Sequence, residues 1–425
     1  MISRTETSIA KTETPLAIEG APPIRTDPWP TYERGDVWID RRDEDAAIEA
    51  IRDRLYFRYD ERPLEDTHTG RLERRLCEYF DVPHALACAS GTVAITLSLL
   101  GLELPAGARV ACPAFTFAAT PSAILLAGAQ PVLVDCDEDL HLDLASLRRV
   151  LDDGVDAVVV VHMRGFASDM GAICALAMAY GVPVVEDAVP ALGARLRGRL
   201  LGTYGQFGAF STQSDKSLNT GEGGFLITDD AEAFARAVVY SGAYEGRAER
   251  HFPGGCPPID EFAFPIFSFR MDEIRAALAD ALLNRLPARL RAHHRVYQRV
   301  EAGLAGVPGV ALRRPVADGA YLGEALVFRL PGAEVTDAAW FAHALCAEGI
   351  SARALGDPDS PNVRAFWNWR FLVGEDADAA RARCPNAARY IGEAVDVPLS
   401  ANLSRDDCDQ LIEAVHRVAH ARLRH

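Results

Sequence analysis

The chemistry that this sequence can support depends first on one acid and one amine. Asp187 follows the apolar run 182–185 and Glu186, and Lys216 lies in the loop beyond a second apolar run, 207–210. Short apolar runs that end in turn residues are typical of buried strands in a parallel sheet. Because ligands bind beyond the carboxyl ends of such strands, we expect the carboxylate and the amine to converge on one ligand.

An acid and a lysine held close together have two interpretations. The simpler one is a structural ion pair, which these two residue types alone would favour. The chemical one is a site for pyridoxal 5′-phosphate (PLP), which needs a lysine for its Schiff base and an acid against its pyridine nitrogen. The GEGG run at 221–224 does not indicate a nucleotide site, because the sequence has neither GxxxxGKS/T nor GxGxxG after a strand.

The sequence around these residues favours the second interpretation. Residues 186–194 read EDAVPALGA, and residues 210–224 read FSTQSDKSLNTGEGG. Both stretches resemble signatures of the DegT/DnrJ/EryC1/StrS family of PLP-dependent sugar aminotransferases. Further motifs of that family, SGT at 90–92 and PAFTFAAT at 113–120, follow the family's order along the chain.

The resemblance implies a role for both charged residues. Lys216 would hold PLP covalently and, once freed, would move a proton between the amino donor and the cofactor. Asp187 would keep the pyridine nitrogen protonated, so that the ring accepts electrons. We expect Gly221, Gly223 and Gly224 to adopt positive φ or to let the backbone approach the cofactor closely.

Small and aromatic residues supply the other expected cofactor contacts. A turn at Gly91 and Thr92 before a helix presents free N–H groups, which suits a phosphate, although helix capping is the alternative. The family places this threonine, and a serine five residues before the lysine (here Ser211), on the phosphate. Its ring-stacking aromatic is Phe117, for which an ordinary core position is the alternative. Ser268 replaces an asparagine that reaches PLP of the neighbouring subunit.

Other residues bear on the substrate or depart from the family. Arg58 and Tyr59 belong to an aromatic and basic run that either lines the substrate pocket or packs as a loop. Arg164 is a candidate contact for an anionic substrate. His162, at the end of a strand, either faces the pocket or is a satisfied structural residue, and we do not count it among the catalytic candidates. Pro190 stands where the family usually has Gln or His, so it offers no side-chain donor there.

Composition limits the class of protein and its partners. The net charge of −16 argues against nucleic acid as a partner. Nine scattered cysteines without CxxC pairs do not predict a disulfide framework, and no His/Cys spacing predicts a metal site. No apolar run approaches the ~20 residues of a membrane span, and the N-terminus has no apolar signal region, so we expect a cytoplasmic protein.

The order of strand and helix signals predicts an α/β protein with a mostly parallel sheet. The resemblance implies the aspartate-aminotransferase-like architecture called fold type I. We expect an extended or disordered arm at 1–30, a large PLP-binding domain at 31–285 and a smaller α+β domain at 286–425. The family also implies a homodimer with shared active sites.

The implied reaction moves an amino group from L-glutamate or L-glutamine to a keto-sugar or a cyclitol ketone in sugar or natural-product biosynthesis. One alternative is a dehydration or deoxygenation on the same scaffold, but enzymes of that kind generally replace the lysine with histidine. Another is a non-catalytic relative, which should have lost Lys216 or Asp187. The sequence leaves open the donor and the choice among nucleotide-linked sugars, cyclitols and octulosonates.

Overall fold

The computed structural model describes residues 15–30, 38–317, 319 and 321–424. The strands are β1 (His84–Cys88), β2 (Arg109–Pro113), β3 (Gln130–Val134), β4 (Ala157–Val161), β5 (Val184–Asp187), β6 (Arg195–Leu196), β7 (Arg199–Leu200), β8 (Phe207–Ser211), β9 (Gly224–Thr228), β10 (Ala311–Leu312), β11 (Ala325–Arg329), β12 (Arg353–Ala354) and β13 (Ala394–Pro398). The α-helices are α1 (Arg41–Asp53), α2 (His68–Phe80), α3 (Gly91–Gly101), α4 (Ala119–Leu126), α5 (Leu144–Asp152), α6 (Met170–Ala179), α7 (Ala231–Ser241), α8 (Glu273–Leu283), α9 (Leu286–Leu304), α10 (Val335–Ala347), α11 (Arg370–Val373), α12 (Ala377–Arg383), α13 (Pro385–Gly392) and α14 (Arg405–Arg422).

A seven-stranded sheet organises the first two thirds of the chain. Its order is β1-β9-β8-β5-β4-β2-β3, and β9 runs antiparallel to both of its neighbours while the other pairs are parallel. Alternate residues of β4 face opposite sides, as the two-residue period of a strand requires. Val159 packs with the cluster that includes α3 and α7, whereas Val158 and Val160 pack with α5 and α6. Helices therefore cover both faces, which confirms the predicted α/β class.

A second, antiparallel sheet lies in the C-terminal part of the chain. Its order is β10-β11-β13-β12, and its apolar face packs with α9, α10 and α14 around buried residues such as Phe328, Phe341 and Val415. The helix α14 begins at a capping box in which the Ser404 side chain accepts from the backbone N–H of Asp407. The smaller sheet and its helices have the α+β character predicted for this region.

The N-terminal segment packs on this smaller sheet and its helices. Residues 1–14 of the predicted arm lie outside the described residues. Leu16 is buried in the core of α10 and α14, and Arg25 forms an ion pair of 2.6 Å with Asp407. The Glu348 carboxylate accepts from two backbone N–H groups of the same segment. The structure does not test the predicted divisions at residues 30 and 285, which remain predictions.

The parallel strands point their carboxyl ends toward one edge of the large sheet. Here β1, β2, β4, β5 and β8 are followed by the segments that begin near residues 89, 114, 162, 188 and 212. These segments hold most of the residues that the sequence singled out. Among the described residues, no helix is both long enough and apolar enough to cross a membrane.

Candidate active site

A cavity of about 300 Å³ opens at this edge of the large sheet. It lies where the ends of five strands meet, as expected for a ligand site in an open α/β sheet. Seven of the residues predicted from the sequence line it, namely Gly91, Thr92, Phe117, Arg164, Asp187, Ser211 and Lys216. Segments as far apart as 91 and 216 therefore contribute to one site.

Lys216 and Asp187 line the same cavity but do not form an ion pair with each other. The positive charge of Lys216 acts on Asp187 from across the cavity. Among the described residues, however, the half-buried Lys216 amine forms no hydrogen bond or ion pair. The interpretation as a structural ion pair is therefore wrong, and the amine is available to a ligand.

Asp187 is the last residue of β5, and its side chain is buried. Thr120 Oγ1 donates to Oδ2 at 2.8 Å, and the Val189 backbone N–H donates to Oδ1 at 3.3 Å. Burial raises the pKa of Asp187 above its ordinary value, and these donors and the charge of Lys216 offset part of that rise. Among the residues that the structure describes, these two groups are the only donors to the carboxylate, which faces a cavity.

The start of α3 forms the opposite end of the cavity. Ser90 caps the helix, and its Oγ accepts from the Val93 N–H, which leaves the first N–H groups at Gly91 and Thr92 directed outward. A Cβ on Gly91 would lie 2.8 Å from Ser211 Cβ, so only glycine lets the helix start approach Ser211 this closely. Backbone donors, a hydroxyl and the positive end of a helix dipole suit a phosphate group.

The GEGG run shapes the backbone beside this helix start. Gly221 and Gly223 have φ of +80° and +142°, so the predicted positive φ is confirmed at both. A Cβ on Gly224 would lie 2.5 Å from the backbone of Ser90, which shows the expected close approach of two chain segments. Glu222 lines the cavity mouth, and its carboxylate makes no hydrogen bond with the described residues.

Phe117 lies at the mouth of the cavity with 47% of its surface exposed. This exposure argues against the ordinary core position. The guanidinium of Arg364 lies 5.7 Å from the centre of its ring. An antiparallel bridge between Phe115 and Ala365 holds the two segments together. A flat aromatic surface and a cation thus border the same opening.

The site contains residues that fit PLP. The α3 start and Ser211 provide donors for the phosphate, Phe117 provides a flat surface for the ring, and Asp187 provides an acid for its nitrogen. Lys216 provides the amine. Pro190 also lines the cavity and, as predicted, offers no donor there.

Two predicted substrate residues are not in the cavity. Arg58 is 1% exposed, donates to Glu73 Oε1 at 2.7 Å and donates to the Ala87 carbonyl at 2.9 Å. Tyr59 is buried as well, and its hydroxyl lies 2.9 Å from His251 Nε2. Both side chains join a polar cluster inside the domain, so the packed-loop alternative describes them.

Of the remaining candidates, Arg164 lines the cavity, and Ser268 and His162 do not. Arg164 lines the cavity, but its Nε and Nη2 donate to Asp396 Oδ1 at 3.0 and 2.7 Å. Ser268 is exposed and accepts a hydrogen bond from Arg270, away from this cavity. His162 is fully buried and lies 3.0 Å from Glu186 Oε2, so the structural alternative describes it.

Sequence reasoning did not single out several residues that line the cavity, among them the polar residues Thr116, Thr120, Glu324 and Arg364. The two threonines belong to the PAFTFAAT motif, so their position in it was a usable signal. Glu324 and Arg364 come from the C-terminal part of the chain, where no recognisable motif pointed to them. Only the packing of the two sheets brings them to the site.

The sequence profile of the DegT/DnrJ/EryC1/StrS aminotransferase family matches residues 64–416. The chain is 30% identical over 350 residues to GDP-perosamine synthase of Caulobacter vibrioides, and the alignment covers 81% of this chain and 88% of that protein. It is also 30% identical over 306 residues to a Micromonospora echinospora protein assigned as an L-glutamine:3-amino-2,3-dideoxy-scyllo-inosose aminotransferase, covering 71% of this chain and 69% of that protein.

The fold agrees with that match. A protein assigned as a sugar aminotransferase from Streptococcus pneumoniae, solved in its PLP form, superposes with a TM-score of 0.77 at 22% identity. The superposition covers 92% of this chain and 99% of that one, and it confirms the predicted fold type I architecture. The chain is therefore an aminotransferase that belongs to the DegT/DnrJ/EryC1/StrS family, whose members use PLP as their cofactor.

Proposed function

We propose that the enzyme transfers an amino group from L-glutamate or L-glutamine to a keto-sugar or a cyclitol ketone. The observation that carries this proposal is the Lys216 amine, which shares one cavity with the buried carboxylate of Asp187 and has no ion-pair partner in the part of the chain that the structure describes. The names of the two relatives support the acceptor class, since one concerns a sugar and the other a cyclitol. The second of those names also supports glutamine as a donor.

Bound PLP supplies an electron-accepting ring that makes removal of a proton from the donor carbon possible. We assign the phosphate to the backbone N–H groups of Gly91 and Thr92 and to the hydroxyls of Thr92 and Ser211. Phe117 would cover one face of the ring, and Asp187 would hold a proton on the ring nitrogen. These assignments use residues that line one continuous cavity.

Lys216 moves the proton. In the first half of the reaction, Nζ accepts the proton from Cα of the donor, which leaves as its 2-oxo acid. In the second half, Nζ returns a proton to the carbon that was the acceptor's carbonyl carbon, and that carbon keeps the amino group. The first step needs the unprotonated amine and the second its protonated form, and both need a side chain that no ion pair fixes in place. Among the described residues, Lys216 has no such ion-pair partner.

Arg364 is the residue that we assign to an anionic group of the substrate. Both the amino donor and many acceptors of the family carry a carboxylate or a phosphate. Arg164 also lines the cavity, where its guanidinium donates twice to Asp396. Arg364 is held beside Phe117 by a turn in which its N–H donates to Asn362 Oδ1, at the cavity mouth where a substrate enters.

We propose that the enzyme works as a homodimer in the cytoplasm. Phe262 is 90% exposed, and Ile266 and Phe267 are exposed in the segment that leads to Ser268, which suits contact with a second copy. All nine cysteines are free thiols, which suits a reducing compartment. A fully active monomer in analytical ultracentrifugation, run at assay concentration, would contradict the dimer.

Titration of the purified enzyme with amino donors tests the reaction. The protein loaded with PLP should show a visible absorbance band that L-glutamate or L-glutamine removes, with one equivalent of 2-oxo acid formed. Addition of the correct ketone should restore the band. Glutarate, which has the two carboxylates of glutamate but no amine, is the control and should leave the band unchanged. A protein that does not take up PLP, or a band that no amino acid alters, rules out the proposal.

A further inference from the structure

Two buried threonines of the PAFTFAAT motif form a hydrogen-bond chain that ends at Asp187. Thr116 Oγ1 and Thr120 Oγ1 are 2.7 Å apart, and Thr120 Oγ1 is 2.8 Å from Asp187 Oδ2. The exposed fractions of the two threonines are 0% and 1%. We propose that this chain of hydroxyls is a positioning device that keeps Asp187 oriented and ionised toward the ring nitrogen of PLP. The inference rests on the proposed function of Asp187.

The direction of the hydrogen bonds follows from the chemistry of the groups. An ionised carboxylate only accepts, so the Thr120 hydroxyl must donate to Asp187. A hydroxyl that has donated its proton still accepts through a lone pair, so the Thr116 hydroxyl donates to Thr120. The other acceptor near Thr116 is the Phe117 carbonyl at 3.4 Å, a much longer contact. Both hydroxyl protons therefore point along one line toward the acid.

The neighbouring acid shows why Asp187 depends on this chain. Glu186 is fully buried, and its two oxygens lie within hydrogen-bond distance of four donors, one from His162 and three from the backbone of Gly202, Tyr204 and Gly205. Asp187 has one short bond, from Thr120, and one of 3.3 Å, from the Val189 N–H. Since hydrogen bonds to a carboxylate favour its charged form, loss of the Thr120 hydroxyl would remove the main support of the charge.

The local backbone makes the arrangement rigid. The Thr120 N–H donates to the Phe117 carbonyl at 3.1 Å, so the two threonines flank one tight turn at the start of α4. Threonine is branched at Cβ, which restricts χ1 and holds each hydroxyl in place. Phe117 lies in the same turn and borders the cavity. One short segment thus sets the position of the aromatic ring and the environment of the acid.

The test compares Thr120→Val, Thr116→Val and Thr120→Ser in the full-length protein. The measured quantities are the dissociation constant of PLP for the apo-protein, the pH midpoint of the bound absorbance band, and kcat and KM. We expect Thr120→Val to weaken PLP binding roughly 10- to 100-fold and to shift the midpoint by about one pH unit, because a hydrogen bond to a charged group is lost. Thr120→Ser keeps the hydroxyl and should restore both values.

The double variant distinguishes a chain from two separate effects. If Thr116 acts only through Thr120, Thr116→Val alone shows a smaller shift in the same direction, and Thr116→Val adds nothing when Thr120→Val is already present. Additive effects would therefore contradict the chain. If Thr120→Val does not fold, the test uses Thr116→Val alone, and an unchanged PLP dissociation constant and pH midpoint in that variant would contradict the chain.

Thr69→Val is the matched control. Its hydroxyl donates to another buried carboxylate, Glu273 Oε1 at 2.6 Å, which does not line the cavity. We expect it to lower stability without changing the PLP dissociation constant or the pH midpoint. The inference fails if Thr120→Val behaves like this control. If PLP binding depends on Thr120 while no amino acid alters the band, the proposed function fails and the inference about Asp187 stands.

Discussion

Two buried acids, Asp187 and Glu73, lie in similar surroundings, but only Asp187 faces the cavity. Each is buried with a cation nearby. Glu73 Oε1 accepts from Arg58 at 2.7 Å and from the Ala87 N–H at 2.7 Å, and His251 Nδ1 lies 3.6 Å from Oε2. Asp187 has two hydrogen bonds and a lysine that remains separate from it.

The difference shows how a structural charge cluster can be told from a functional one. Around Glu73 the protein itself satisfies the acid and much of the cation, because Arg58 also donates to the Ala87 carbonyl. Around Asp187 the cation has no partner of its own within the described ranges of the chain, and both groups face a cavity. Buried charges that are paired internally are satisfied within the fold, so that loss of one partner is destabilising, whereas charges left open at a cavity suit a ligand.

The largest expected effect comes from Lys216→Ala. Because the variant removes both the attachment point and the group that moves the proton, we expect kcat to fall at least about 1000-fold. The thermal midpoint should stay close to that of the wild type, since Lys216 has no structural partner among the described residues. Assay of 2-oxo acid release and calorimetry would check both. An active variant would contradict the view that Asp187 and Lys216 form a functional site while the cluster around Glu73 is structural.

The composition of the chain sharpens this test. The sequence contains only two lysines, Lys11 and Lys216. Reduction of the PLP-loaded enzyme with borohydride, followed by peptide mass analysis, should place the cofactor on Lys216. Label on Lys11 or on neither lysine would contradict the assignment.

Arg58→Met should affect stability instead of chemistry. The variant leaves Glu73 buried without its cation, which we expect to lower the free energy of unfolding by about 3–5 kcal/mol. At temperatures where the variant is folded, kcat and KM should match the wild type, because Arg58 does not line the cavity. Arg52→Met, at an exposed site on α1, is the matched control and should change stability by less than about 0.5 kcal/mol. A change in KM with normal stability would instead support the predicted contact between Arg58 and the substrate.

Arg364→Met should have an intermediate effect confined to anionic ligands. Loss of a charge-assisted hydrogen bond should raise the KM of the anionic substrate about 10-fold or more, with the visible band intact. Arg370→Met is the control, since Arg370 is exposed nearby and pairs with Glu375 on the surface. Separate measurement of donor and acceptor KM shows which substrate Arg364 contacts. Unchanged KM for both would remove Arg364 from the site.

The smallest expected effect is a change in the pH dependence of stability. Burial, followed by the charges of Arg58, Arg250 and His84, lowers the pKa of His251 well below its ordinary value. Below pH ~6.5 the unfolded chain therefore protonates this histidine while the folded chain does not, so stability falls as pH falls.

His251→Asn should reduce that slope between about pH 6.5 and 5 by up to about 1.4 kcal/mol per pH unit. Urea unfolding at several pH values measures it, and the comparison with wild type cancels the contribution of Glu73, whose own pKa burial raises. His420→Asn, on the exposed face of α14, is the control and should keep the wild-type slope. An unchanged slope in His251→Asn would show that the cluster around Glu73 is open to protons.

The sequence by itself determined the family, the α/β class and the residues at the centre of the candidate site. Lys216, Asp187, Ser211, Gly91 and Thr92 each follow a short apolar run or begin a helix, and parallel strands bring such positions to one edge. The physical reason is that local spacing sets strands and turns, and the topology of a parallel sheet then leaves little freedom in where their ends meet.

Tertiary structure alone decided which other charges reach the cavity. Arg58 and Tyr59 carried a plausible substrate pattern, but their partners Glu73 and His251 lie 15 and 192 residues away, and packing turned both side chains inward. Arg364 reaches the site because the two sheets pack together. A contact between distant segments depends on how the whole chain packs, and residue spacing within one segment contains no information about it.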